Sequence, residues 1–297
     1  MIARATATRI PPSTAVARHP TASRLARDRG ARIAFAILAI ILVGAFFAPL
    51  LAPFPQDAEN AAHVDQRLQP PSLRFLFGTD HLGRDVFSRA LFGGRVSLEI
   101  GAISVLLSAV VGTLLGLVAG YGPGWLEELI MRGSDIFLGI PSLVLAVLVS
   151  VSLGGGIESA TFAIAATAWP RYARLVRGEV LRIRVLEFVE AARASGASAR
   201  RIVFRHIFPG VQPVLTAQAA LQVGSAILVA AALGFIGLGA RPPSPEWGLS
   251  IAIGREYLPE AWWIGFFPGA CIFATVFAAS LLSDAIQRAL DTRLARR

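Results

Sequence analysis

Asp80, His81 and Asp85 are the residues of this chain whose types and spacing come nearest to a reactive or metal-binding site. Carboxylates and imidazole are suitable metal ligands, so three of them on one short segment could bind a divalent cation. Three such residues on a loop are also common by chance, and Arg84 and Arg89 supply opposite charges beside them. We interpret the segment as a turn and helix start held by ion pairs, and we expect no metal site.

The motifs of several enzyme classes are missing from the sequence. A phosphate-binding P-loop requires a lysine, and all 28 basic residues are arginine. The chain has no His-Glu-x-x-His zinc motif and no Gly-x-Ser-x-Gly nucleophile turn, so an intramembrane hydrolase would lack an assembled active site. The single cysteine, Cys271, excludes a disulfide framework and a cysteine metal site. We therefore expect a non-enzymatic chain with no catalytic residue and no cofactor of its own.

The elements that must position these residues are membrane spans. With 55% hydrophobic and 16% charged residues, the chain is too apolar for an ordinary soluble domain. A bilayer core about 30 Å thick requires roughly 20 apolar residues of helix. We predict an all-α polytopic membrane protein with six transmembrane helices, at residues 33–51, 98–119, 136–153, 157–176, 213–238 and 261–282. The fourth run is short, and it spans only if its helix continues through Pro170.

The placement of arginine predicts the orientation of these spans. Cytoplasmic loops hold the excess of basic residues in membrane proteins. Seven arginines precede residue 33 and nine lie within residues 171–205, whereas the segments predicted to be outside hold seven in total. Both termini are therefore predicted to be cytoplasmic, and the net charge of +9 needs no nucleic-acid partner. A cleaved signal peptide is the alternative for the first span, but its apolar run is longer than usual for one.

A polar segment, residues 171–212, separates the fourth and fifth predicted spans and contains Glu190-Ala191-Ala192-Arg193-Ala194-Ser195-Gly196. Its alanines favour a helix, and Gly196 supplies a break. We predict a second short helix at residues 199–206, which Pro209 ends before the fifth span. The alanines would let a partner protein approach closely, and the charges could pair across an interface. The alternative is a solvated loop lying on anionic lipid headgroups, and these residues alone leave both interpretations open.

The order Glu-Ala-Ala, three residues, Gly, ten residues, Ile-x-Pro resembles the EAA loop in the membrane subunits of binding-protein-dependent ABC importers. In that family the loop forms a coupling helix that docks in a cleft of the cytoplasmic ATPase. The resemblance implies an ATPase-coupling role for Glu190, Ala191, Ala192, Arg193, Gly196, Ile207 and Pro209. Phe208 stands where the pattern usually has leucine.

A second signature precedes the second predicted span: Gly78-Thr79-Asp80, Gly83-Arg84-Asp85 and Ser88-Arg89. It resembles the same segment in the dipeptide, oligopeptide and nickel permeases, specifically their second, C-type membrane subunit. Pro268-Gly269 and Ala289-Leu290-Asp291 extend the resemblance to nearly all of residues 33–291, although Ser280 replaces an expected asparagine. The Asp80, His81 and Asp85 set does not by itself support nickel as the solute.

The resemblance implies a type I ABC importer permease fold in the inner membrane. The chain would comprise a basic disordered cytoplasmic tail (residues 1–32), a first transmembrane helix (33–51), an extracytoplasmic loop (52–97), a transmembrane domain (98–285) with its coupling loop (171–212), and a basic cytoplasmic tail (286–297). Its implied partners are a homologous permease subunit, cytoplasmic ATPases that bind ATP and Mg²⁺, an extracytoplasmic solute-binding protein and membrane lipid. The solute stays open among dipeptides, oligopeptides, nickel and sugars. The alternative is a self-contained secondary transporter or channel that uses no ATPase.

Overall fold

The computed structural model describes residue 25 and residues 27–290, and within them it is helical with no β-strand. Its helices are α1 (Arg29–Phe46), α2 (Ala48–Leu51), α3 (Val86–Tyr121), α4 (Gly124–Gly139), α5 (Ser142–Ser152), α6 (Ile157–Ile183), α7 (Glu187–Ala194), α8 (Ala199–Ile202), α9 (Phe208–Phe235), α10 (Trp247–Glu256) and α11 (Trp263–Leu290). Short 3₁₀ turns occur at Pro55–Ala58 and Val64–Gln66, and a π-helical turn at Val203–Ile207. The all-α prediction is confirmed for this part of the chain. Most of the two predicted tails, residues 1–24 and 291–297, lies outside the described residues.

Four helices are long and apolar enough to cross a membrane: α1, α3, the continuous stretch Ala199–Phe235 and most of α11. The α4–α5 pair also passes this test, but its two helices are bent by 96° at their junction. The described residues therefore hold four candidate spans, or five if the bent pair is one span, rather than the six predicted. The predicted fourth span corresponds to α6, which does continue through Pro170 but is not among the apolar candidates.

The predicted third span, residues 136–153, is not one straight helix. Ile140 and Pro141 separate α4 from α5, and both have extended backbone angles, with ψ of 133° and 124°. A residue that precedes proline avoids the α conformation because the proline ring crowds its backbone. The apolar run continues across this junction, so hydropathy alone did not reveal the bend.

Three predicted boundaries are also displaced. Helix α1 begins four residues earlier than the predicted span, because the Asp28 carboxylate caps it by accepting the Ala31 N–H (2.9 Å). Helix α3 begins at Val86 rather than residue 98, so the connecting loop is residues 52–85. Helix α11 continues past residue 285 to Leu290, into the predicted C-terminal tail.

Helices α3 and α6 form the tightest contact of the bundle. Gly112, Gly116 and Gly120 of α3 lie four residues apart, and all three meet α6. A Cβ atom added to Gly116 would lie 2.6 Å from both the Ala173 carbonyl oxygen and Val176 Cβ, so only glycine permits this approach. The two helices run in the same direction. We call the end where α3 starts the Asp80 end and the end where it finishes the Glu190 end.

Candidate functional site

The segment between α6 and α9, residues 184–207, lies at the Glu190 end of the bundle, and we call it the Glu190 segment. Its first helix, α7, finishes in a Schellman motif. Gly196 has a φ of 77° and donates its N–H to the Arg193 carbonyl (3.0 Å), while Ala197 donates to the Ala192 carbonyl (3.1 Å). The positive φ explains why glycine stands at this position. The break predicted at Gly196 is therefore present.

Apolar side chains anchor the Glu190 segment to the bundle. Val189 is the buried residue of α7, and it lies in one apolar cluster with Ile202 and Ile207. The same cluster contains Val180 near the end of α6 and Val211 near the start of α9. Because all five side chains are almost fully buried, α7 is attached to the ends of both long helices. A displacement of α7 would therefore disturb a cluster that also contains the ends of α6 and α9.

The opposite face of the Glu190 segment is exposed and chemically mixed. It presents Glu187, Phe188, Glu190, Ala191, Arg193 and Arg200. The Phe188 ring is 49% exposed, although it is a large apolar group in a polar segment. Within residues 27–290, neither Glu190 nor Arg193 has an ion-pair partner. An exposed aromatic ring beside unpaired charges of both signs can bind a complementary protein surface.

Ile207 and Pro209 lie away from that exposed face. Ile207 is buried in the anchoring cluster, and Pro209 lies in the first turn of α9. The prediction that Pro209 ends a helix at residues 199–206 is wrong: α8 passes through the π-helical turn directly into α9. Proline is tolerated in a first helical turn, and the Phe208 N–H bonds to the Val203 carbonyl, five residues back. The structure thus divides the predicted coupling residues into an exposed group and an anchoring group.

The second set of predicted residues gathers at the Asp80 end. The Asp80 carboxylate forms a buried ion pair with Arg84 (Oδ2 to Nη2, 2.7 Å) and accepts the N–H groups of Leu82 and Arg84. The Asp85 carboxylate caps α3 by accepting the Ser88 N–H (2.7 Å), and burial raises the pKa of Asp85. Both carboxylates are therefore occupied by contacts that build a turn and start a helix.

Gly78, Thr79 and Gly83 fold residues 52–85 onto the bundle. The Thr79 hydroxyl donates to the Gln66 carbonyl (2.5 Å), and the Thr79 carbonyl accepts the indole N–H of Trp263 at the start of α11 (3.0 Å). Gly83 has a φ of 80°, and a Cβ atom there would lie 1.9 Å from the His63 carbonyl oxygen. These residues therefore fix the shape of the connecting loop.

Ser88 and Arg89 connect α3 to two loops. The Ser88 hydroxyl accepts the Phe54 N–H (3.1 Å). The buried Arg89 guanidinium donates to the Asp57 carbonyl (3.0 Å) and to the Ser244 carbonyl (3.2 Å). The residues of the second signature thus form one hydrogen-bonded network at the Asp80 end. The predicted coupling residues lie at the other end of α3.

His81 does not join the two carboxylates in a ligand set. Its ring stacks on Tyr257, with centroids 5.3 Å apart, and burial lowers the pKa of His81. Among the described residues, no group of three or more His, Cys, Asp or Glu side chains is placed to hold a metal ion. The geometry therefore offers no support for the metal-binding alternative.

Glu246 is a functional-site candidate that the sequence analysis did not identify. Its carboxylate is 1% exposed and accepts the Ser97 hydroxyl (3.0 Å) and the N–H groups of Gly248 (2.9 Å) and Leu249 (2.8 Å). No arginine forms an ion pair with it among the described residues, and burial raises the pKa of Glu246. The adjacent Trp247 indole donates to the Ala90 carbonyl (2.8 Å). Together these contacts fix α10 across α3.

Comparison with known families bears on the Glu190 segment and on the first span. The family described as "Binding-protein-dependent transport system inner membrane component" matches residues 112–296, which include the whole Glu190 segment. The chain belongs to this family. A second family, described as "N-terminal TM domain of oligopeptide transport permease C", matches residues 21–71 of the permease. The resemblance drawn from the two signatures is thereby confirmed.

Several relatives match nearly the whole permease. The "Di/tripeptide transport system permease protein DppC" of Pseudomonas aeruginosa is 42% identical over 91% of this chain and 90% of its own length. The "Glutathione transport system permease protein GsiD" of Pectobacterium atrosepticum is 40% identical over 91% and 89%. The "Probable D,D-dipeptide transport system permease protein DdpC" of Escherichia coli is 43% identical over 86% and 85%. The chain is therefore an ABC importer permease subunit and a multi-pass inner-membrane protein.

A solved structure shares the fold. A chain of the MetNI methionine ABC transporter, in an inward-facing conformation, aligns with a TM-score of 0.54 and 22% identity. The alignment covers 65% of the permease and 92% of that chain. The two chains therefore share a fold over about two thirds of the permease.

Proposed function

We propose that the permease and a homologous membrane subunit together form the path for dipeptides, oligopeptides or a related small solute such as glutathione. The solutes named for the relatives support this solute class. Energy would reach the path through the Glu190 segment, docked on a cytoplasmic ATPase. One observation carries this proposal: α7 presents Phe188, Glu190 and Arg193 on its exposed face and is anchored through Val189 to α6 and α9.

In this proposal the Glu190 end and both termini face the cytoplasm. The arginine-rich segments support this orientation, because cytoplasmic loops retain basic residues. The start of α1 and the end of α11 lie at one end of the bundle, since Asp28 and Arg288 form an ion pair (3.0 Å). The solute-binding protein would then dock at the Asp80 end, where residues 52–85 form a folded surface.

The proposed mechanism is mechanical rather than catalytic. The ATPase subunits would bind ATP and Mg²⁺, and their closure would displace α7. Because Val189, Ile202 and Ile207 share one buried cluster with the ends of α6 and α9, this displacement would be passed to the spans. The Schellman motif at Gly196 would keep α7 rigid while it is pushed.

Affinity purification from the native membrane tests the docking step. The wild-type chain, Glu190→Arg and Gly196→Pro would each be purified in mild detergent and the co-purifying proteins identified. Recovery of ATPases and a second permease with the wild type, and loss of the ATPases with Glu190→Arg, would support the proposal. Glu59→Arg, a matched charge reversal at the exposed Asp80 end, should leave ATPase recovery unchanged.

Uptake measurements separate the importer from the self-contained transporter. In vesicles containing all subunits, Gly196→Pro should uncouple ATP hydrolysis from uptake, because proline cannot adopt the φ of 77° found there. Normal uptake by both Glu190→Arg and Gly196→Pro would refute coupling through this segment. A chain that purifies alone and still moves solute would favour a self-contained transporter.

A further inference from the structure

Helix α4 is attached to the bundle in an unusual way. Ser134 is the buried residue of its sixteen, and the Ser134 hydroxyl bonds back to Ile130 within the same helix. The large apolar side chains Trp125, Leu129 and Ile136 are each more than 60% exposed. The other large apolar side chains of α4 are only partly buried, so no fully buried apolar side chain anchors this helix.

Two ion pairs join α4 to α6 instead. Arg177 binds Glu127, with its Nε 2.9 Å from the carboxylate oxygen, and Arg174 binds Asp135. An edge-to-face contact between Phe137 and Trp169 adds to them. The acidic residues are about 12 Å apart along α4, whereas the arginines are about 4.5 Å apart along α6, taking 1.5 Å per residue. The pairs therefore hold the two helices together at two separate points, which fix an angle that one point would leave free.

The contribution of these ion pairs depends on where they lie relative to the membrane. In the proposed orientation α6 starts on the outer side, and Arg174 lies about 25 Å along it from Ile157, which is close to the thickness of a hydrocarbon core, about 30 Å. Ion pairs in water contribute little, typically below about 1 kcal/mol. Near lipid, a charge that loses its partner is costly. Removing one member of a pair should therefore release α4 from its position.

The two helices that these pairs join lead to different parts of the permease. Helix α6 leads into α7, and the Arg184 side chain holds this junction by donating to the Gly120 carbonyl (2.9 Å). Helix α4 leads through the 96° bend into α5. Leu143 of α5 lines an apolar cavity together with Leu228 of α9 and Phe273 of α11. The ion pairs thus link α6, which leads into the Glu190 segment, to the bent α4–α5 pair.

We propose that Glu127, Asp135, Arg174 and Arg177 are positioning residues that transmit displacement of α7, through α6 and α4, to α5 and the cavity that α5 lines. This inference rests on the proposed function, since it requires that α7 is displaced by an ATPase. The two pairs would control the angle of α4 relative to α6 rather than the stability of the fold.

Charge reversal tests the proposal in vesicles containing all subunits. Asp135→Arg and Arg174→Asp each break one pair, and the double variant restores it with opposite polarity. Each single reversal should raise the ATP hydrolysed per solute transported about tenfold, within the 5–150-fold range of typical coupling energies. The double reversal should return this ratio to within about threefold of wild type. The Glu127–Arg177 pair should behave in the same way.

The exposed pair Glu128–Arg132 supplies the matched control, because it lies on α4 and joins no other helix. Reversal of Arg132 should leave the ratio unchanged. Hydrogen exchange of the purified chain gives a second readout: α4 should exchange faster in the single reversals, and protection should return in the doubles. If Gly196→Pro uncouples the permease, normal coupling in the single reversals or no recovery in the double reversals would overturn the inference. Normal coupling in Gly196→Pro as well would refute the proposed function itself.

Discussion

The anchoring of α7 predicts that Val189 and Phe188, neighbours in sequence, affect the permease in different ways. Val189 is 0% exposed, and Val189→Ala removes two buried carbon groups at about 0.8 kcal/mol each. With the cavity left behind, we expect α7 to be held about 2 kcal/mol less tightly. Since 1.4 kcal/mol corresponds to a factor of ten, detachment of α7 should become about 30 times more frequent.

Hydrogen exchange of the detergent-purified chain measures this change. The amides that close the Schellman motif, Gly196 and Ala197, should exchange about 30-fold faster in Val189→Ala. Phe188→Ala is the matched control, because its ring is half exposed and removing it leaves the anchor intact. In vesicles, Val189→Ala should retain the ATPases but lower uptake, whereas Phe188→Ala should lower ATPase recovery. Equal exchange in the two variants would show that Val189 is not the anchor.

Two further predictions concern the Asp80 end. Burial raises the pKa of Glu246 above its ordinary 4.5. The stability that Glu246 contributes is therefore full below pH 4.5 and is lost as the pH rises through the raised pKa. The Tm of the wild type relative to that of Glu246→Gln should fall over this pH range, and parallel curves of Tm against pH would contradict the prediction. Gly83→Ala should destabilise the chain by at least about 2 kcal/mol, because the new Cβ meets the His63 carbonyl. Gly237→Ala shares the positive φ but has open space, so denaturant unfolding should show a smaller loss.

The family resemblance identified the two residue sets, but the helix end in one and the helix start in the other could be predicted because each depends on local chemistry. Gly196 marks a helix end, and Asp85 followed by Ser88 is a helix start whose capping needs only neighbouring residues. Glu246 was missed because its environment is tertiary: Ser97, which donates to it, is 149 positions away. The role of Pro209 was misjudged for a related reason, since continuity of α8 with α9 depends on a π-helical turn that no local pattern indicated.

The disagreement over the number of spans has a physical cause in α6. A hydropathy test measures how well a helix suits lipid, and it therefore favours helices whose faces are not covered by protein. Helix α6 buries 14 of its 27 residues, and several are small or hydroxylated because α3 approaches so closely. Its second half also carries the arginines that bind α4. At about 1.5 Å per residue its length, about 40 Å, would suffice for a bilayer, and its low apolarity reflects both its burial inside the protein and its charged side chains.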